Sequence, residues 1–170
     1  DNMEIISIPL KGSLSHKDST GREQVIKQGE VQIMSAGSGI MHSEYNHSPH
    51  DPVNFLQIWI FPKERNIEPR YDQKYFSQES MSDRLLTVVA PDHSNALWIN
   101  QDAWFSLADI DAEQQIVYEK KNTESGVYLF VIEGDATVDG HVVHRRDGLG
   151  LEDGEIYSVK AKTSTQLLAI

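Results

Sequence analysis

Residues 29–46 read GEVQIMSAGSGIMHSEYN, and this stretch decides the fold because strand, tight turn and metal-competent side chains coincide in it. Val31 and Ile33 alternate with Glu30 and Gln32, the two-residue period of a half-buried strand, and Ser35, Gly37 and Gly39 supply a turn. The chain re-enters through Ile40 and Met41 to His42-Ser43-Glu44. Residues two apart on a strand share a face, so an extended His42–Glu44 segment aims an imidazole and a carboxylate into one cavity. Such a pair is half of a metal site. On its own H-x-E is a weak signal, more often a hydrogen-bonded strand histidine beside a solvated glutamate.

Working outward, strands are expected at short spacing: Glu4 to Leu10, Ser13 to His16, Gln24 to Ile26, Val31 to Met34 and the aromatic run Phe55 to Phe61. Turn residues recur every 8 to 12 positions, and no segment before residue 77 carries a helical period, which argues for an antiparallel sandwich or barrel. Phe55 to Phe61 reads as core, with Trp59 a candidate to line a pocket. Ser77-Gln78-Glu79-Ser80 reads as a linker, after which short strand candidates resume from Leu85 to Val159. The run Leu129 to Asp135 echoes Ile6 to Ser13, a strand closed by glycine, so two repeated β units are expected. The domain reading is 1–76 for the first unit, 77–90 for linker and next strand, and 91–170 for the second.

Composition closes several routes. With 15 Lys and Arg against 26 Asp and Glu, the net charge of -11 argues against a phosphate-seeking nucleic-acid surface. Zero cysteines exclude disulfides, thiolate ligands and cysteine nucleophiles and fit a reducing cytosol, so a cytoplasmic location is expected. No apolar run approaches the roughly 20 residues of a membrane helix. Gly37-Ser38-Gly39 begins like a dinucleotide fingerprint but lacks the last glycine and a following helix, and no G-x-S-x-G elbow supports a serine hydrolase. His47 and His50 lie in a polar loop, and His141 and His144 flank an Asp-Gly hairpin; all four read as surface residues. His16, near a strand end, is left open as a neighbour of His42.

Gly29, Ser35-Ala36-Gly37, His42 and Asn46 resemble the second motif of cupins, with serine at the usual proline and two extra residues before the histidine. More specifically, MSAGSGIMHSEYN, preceded by MEIISIPLKGSLSHKDSTG and followed by LQIWIFPKERNIEPRYDQKYF, resembles the pirin family, in particular its bacterial quercetin dioxygenase members. The resemblance is dense over 1–76 and looser beyond. It implies an all-β bicupin, two jelly-roll barrels in one chain. It further implies a divalent transition metal, Fe(II) foremost and other divalent metals in its place, held by three histidines and a glutamate of which His42 and Glu44 match two. The other two histidines belong to an H-P-H segment before the Met-Glu-Ile run, whereas this sequence starts Asp1-Asn2-Met3-Glu4, so the first barrel is expected to be incomplete. The second unit is expected to lack a metal.

For the intact protein the resemblance implies a flavonol such as quercetin and O2 as substrates, with Glu44 as general base. A non-catalytic pirin that binds metal and acts through a protein partner is the alternative. As given, the chain is expected not to turn over quercetin.

Overall fold

The computed structural model describes residues 1–92 and 95–170, which form two compact units, one of residues 1–76 with 90–102 and one of 77–89 with 103–170. In the first unit the strands are β1 (Glu4–Lys11), β2 (Ser13–Asp18), β3 (Glu23–Lys27), β4 (Glu30–Ser35), β5 (His42–Asn46), β6 (Asn54–Ile60) and β7 (Arg70–Tyr75). They make two facing antiparallel sheets, ordered β6-β1-β4-β7 and β3-β2-β5. This is half-barrel against half-barrel, the jelly-roll arrangement.

β4 departs from the half-buried strand that its alternation suggests. Val31, Gln32, Ile33 and Met34 are all buried, because β4 lies between β1 and β7 and both of its faces are covered. The aromatic strand departs in the opposite sense: Trp59 is 60% exposed and Phe61 74%, so only one side of β6 is core. β6 pairs with β1 alone among the described residues.

Residues 90–102, including the short strand β9 (Leu97–Trp98), cluster with the first unit, whereas composition assigns 91 onwards to the second. Asn100 is the reason. Its amide exchanges hydrogen bonds with the Glu64 backbone, its carbonyl accepts from the Lys63 N–H at 2.7 Å, and its own N–H donates to the buried Glu4 carboxylate. Leu97 and Ile99 are buried beside it.

In the second unit the expected linker is a single 3₁₀ turn, Gln78–Met81, that buries Met81. The strands are β8 (Leu86–Ala90), β10 (Phe105–Ile110), β11 (Gln115–Glu119), β12 (Val127–Glu133), β13 (Ala136–Val138), β14 (His141–Val143), β15 (Gly148–Leu151), β16 (Ile156–Ala161) and β17 (Thr165–Ala169). One sheet runs β15-β12-β17-β10-β8, the other β11-β16-β13-β14. The echo between the units holds at the turn, where Gly12 after β1 and Gly134 after β12 both adopt positive φ, 73° and 86°. Between these sheets lies one apolar cluster, with Ile110, Ile116, Tyr118, Leu129, Val131, Val138, Val159 and Leu167 among its members. Among the described residues no helix is long and apolar enough to cross a membrane.

Candidate active site

The site is assembled by register. β2 pairs antiparallel with β5 so that His16 lies opposite Glu44 and Asp18 opposite His42, and directly opposed residues share a face. The turn that delivers β5 depends on Gly37: at φ +49° a Cβ would stand 2.1 Å from the Ile67 carbonyl oxygen, so a larger residue there would displace the chain leading to His42. From the opposite sheet, Gln57, Ser7, Gln32 and Gln73 stand side by side across β6, β1, β4 and β7, a continuous polar rung. Next to it runs a second rung, Trp59, Ile5, Met34 and Tyr71.

Glu44 is the hub. Its Oε2 accepts from Gln57 Nε2, and its Oε1 accepts from Ser7 Oγ at 3.3 Å. His16 is 1% exposed; its Nε2 lies 3.0 Å from Asp18 Oδ2, while its Nδ1 faces Glu44 Oε1 at 3.9 Å and has no hydrogen-bond partner. The His16 ring stacks on that of His42, with centroids 5.7 Å apart and planes 19° from parallel, and packs against Tyr71 at 4.8 Å. The Arg22 guanidinium covers the Tyr71 ring at 4.9 Å.

Charge follows from this geometry. Burial of Glu44 opposes its ionisation, but His16, His42 and Gln57 outweigh burial and hold its pKa below the ordinary carboxylate value. Burial likewise opposes protonation of His16, yet Glu44 and Asp18, one on each side, raise its pKa. Asp18 is driven further: burial works against the carboxylate, but bonds from the Thr20 hydroxyl, His16 and the Thr20 and Arg22 backbone bring it down to about 2.

The expected pair, His42 and Glu44, is therefore brought together, and His16 and Asp18 join it. His47 stays exposed, as the sequence suggests, with its Nδ1 2.8 Å from Ser15 Oγ. Gln57 escaped sequence reasoning because it sits in a strand whose neighbours all read as core; its polar position among Leu56, Ile58 and Trp59 was the available signal.

Two family profiles match the chain, one described as Pirin over residues 1–60 and one described as the quercetinase C-terminal cupin domain over 87–170. The quercetin 2,3-dioxygenase of Escherichia coli K12 is 36% identical over 171 residues, an alignment spanning 98% of this chain and 71% of that protein. This chain belongs to the pirin family. A pirin-like protein of Caulobacter vibrioides is 33% identical, spanning 99% of this pirin and 73% of its relative. In three dimensions this pirin is similar to the crystal structure of YhhW from Escherichia coli, with TM-score 0.92, 34% identity, and coverage of 99% of this chain and 70% of that one. A second YhhW structure, a bacterial pirin in complex with nickel(II), gives TM-score 0.91 with coverage of 99% and 71%. Two jelly-roll units in one chain, the bicupin architecture, are thus what the sequence and the structure both carry.

As metal donors, the imidazole of His42 and the carboxylate of Glu44 suit a divalent transition ion. His16 turns its Nε2 to Asp18, while its Nδ1 faces Glu44 Oε1 at 3.9 Å without a hydrogen-bond partner. Among the described residues no group of three or more His, Asp or Glu side chains is placed to hold a metal. This pirin's own residues fit such an ion as two donors.

Proposed function

We propose that this pirin is a divalent-metal-dependent dioxygenase of flavonols such as quercetin, with Fe(II) as the ion, His42 and Glu44 as two of its ligands and Glu44 as the base. The observation that carries this reading is the Glu44 carboxylate, ionised and fixed between Gln57 and Ser7 beside two histidines, in a chain 36% identical to a relative named quercetin 2,3-dioxygenase.

The ion, when bound, supplies Lewis acidity that makes the flavonol 3-hydroxyl a stronger acid and brings O2 within reach. Glu44 takes that proton at Oε1, since Oε2 is engaged by Gln57 while Oε1 has the long bond from Ser7 and faces His16 Nδ1 at 3.9 Å. A carboxylate of lowered pKa is a weak base, so it suits a substrate hydroxyl that is itself acidified. Ser7 and Gln57 keep the carboxylate from turning as the proton arrives. The ring opens with uptake of O2 and loss of carbon monoxide, and Glu44 returns its proton to the depside product.

Two donors leave coordination positions for other groups, and they also support a second reading, a metal-binding pirin without turnover that acts through a protein partner. Its freedom from cysteine favours the cytoplasm for either role. The two readings separate when the protein made from its natural gene is assayed for metal per chain by plasma mass spectrometry and for loss of quercetin absorbance under air. Turnover that vanishes in Glu44→Gln and His42→Ala supports the dioxygenase; stoichiometric metal with no turnover of any flavonol overturns it in favour of the second reading.

A further inference from the structure

Trp59 is 60% exposed on a strand next to the site, and its indole is not loose. Trp59 donates its Nε1–H to Gln57 Oε1 at 3.1 Å, and the same amide donates through Nε2 to Glu44 Oε2. A carboxylate only accepts and an indole only donates, so the two partners leave the Gln57 amide one orientation. Hydrogen bonding therefore runs one way, from Trp59 through Gln57 to Glu44. The ring is held at a fixed place relative to the base while its face stays in solvent.

The surroundings of that face have a definite character. Trp59 heads the rung completed by Ile5, Met34 and Tyr71, and that apolar and aromatic rung lies directly alongside the polar one of Gln57, Ser7, Gln32 and Gln73. Ile5, Met34, Ser7 and Gln32 are buried, so at the exposed end of the two rungs the Trp59 ring stands beside the Gln57 amide, an aromatic face next to a polar group, and this complements a flat ring whose edge carries hydroxyl groups. We propose that Trp59 is a substrate-binding residue, the platform on which one ring of a planar polyhydroxylated aromatic stacks, and that Gln57 sets the distance between that ring and Glu44. This rests on the reading of Glu44 as the base of a flavonol site and adds to it the residue that selects for planarity.

The test is equilibrium binding of quercetin to the full protein under anaerobic conditions, where no turnover occurs. Tryptophan fluorescence quenching reports the Kd, and the red shift of quercetin absorbance reports ionisation of its hydroxyl. Because Trp59 is largely exposed, Trp59→Ala is expected to fold, as checked by circular dichroism, and to weaken the Kd by about tenfold. Trp59→Phe, which restores a ring, stays within about threefold of the parent, and Trp98→Phe leaves the Kd unchanged and controls for a second of the three indoles. A parent-like Kd in Trp59→Ala overturns the proposal. If that variant retains the red shift and Glu44→Gln loses it, the reading of Glu44 survives the loss. A Kd weakened in Trp59→Ala with no red shift in any variant supports Trp59 as platform and removes Glu44 as base. Absence of saturable binding by the parent overturns both.

Discussion

Between its facing sheets the first unit holds His16, Asp18, Glu44 and Gln32, whereas the second holds Tyr118, Leu129, Val131, Val138 and Val159 on the same kind of framework. The pairing of β6-β1-β4 with β3-β2-β5 recurs as β17-β12-β15 with β14-β13-β16, and so does the turn glycine; the filling does not. An apolar filling needs only shape, since each buried side chain gains about 25 cal/mol per Å² whatever its neighbour's orientation. A polar filling stabilises only where each donor meets its acceptor, and otherwise costs the desolvation of the group. The second unit is thus built for stability, and the first gives some of it up to hold charged groups in fixed relation.

The largest effect expected of breaking this division is on turnover. Glu44→Gln removes the base at almost constant shape, and the proposed quercetin oxidation, measured in the full protein loaded with metal, should fall by about 10²- to 10⁴-fold. Next comes the second unit, where Leu129→Ala should cost about 2–5 kcal/mol in urea unfolding through the cavity it leaves, with flavonol binding in the surviving folded fraction unchanged. A smaller loss is expected in the first unit from Asp18→Asn, about 1–3 kcal/mol at neutral pH, because His16 loses a charged partner inside the barrel.

That variant also has a pH signature. The folded Asp18 carboxyl sits at about 2, below its unfolded value, so its stabilisation is complete above the ordinary carboxylate range and disappears as pH falls towards 2. Asp18→Asn should therefore flatten the acid limb of stability against pH, and an unchanged limb would show that other carboxylates govern it. The smallest effect concerns Gln32, which is fully buried and whose side-chain oxygen and nitrogen both lack a hydrogen-bond partner among the described residues. Gln32→Leu makes the first interior more like the second and should be neutral or stabilising by about 1 kcal/mol. A loss of more than about 1 kcal/mol would mean that the amide is bonded in solution.

Much of this was legible in the chain. The strand runs Glu4 to Leu10, Phe55 to Phe61 and Val127 to Ile132 follow from local pattern, and the shared face of His42 and Glu44 follows from strand geometry alone. What pattern could not reach is register. Nothing local to Ser13–Asp18 fixes that His16 faces Glu44, because that depends on how β2 slides along β5. The burial of Gln32 and the exposure of Trp59 are likewise set by sheet order, a middle strand in one case and an edge in the other. Asn100 stayed hidden for a related reason: a single asparagine clasping residues 63–64 has no periodic signature.

The acidic balance of the chain has a colloidal consequence. At neutral pH the net charge of -11 keeps molecules apart, but the isoelectric point is near 5.0. Acidification towards pH 5 removes that repulsion, so light scattering should rise there.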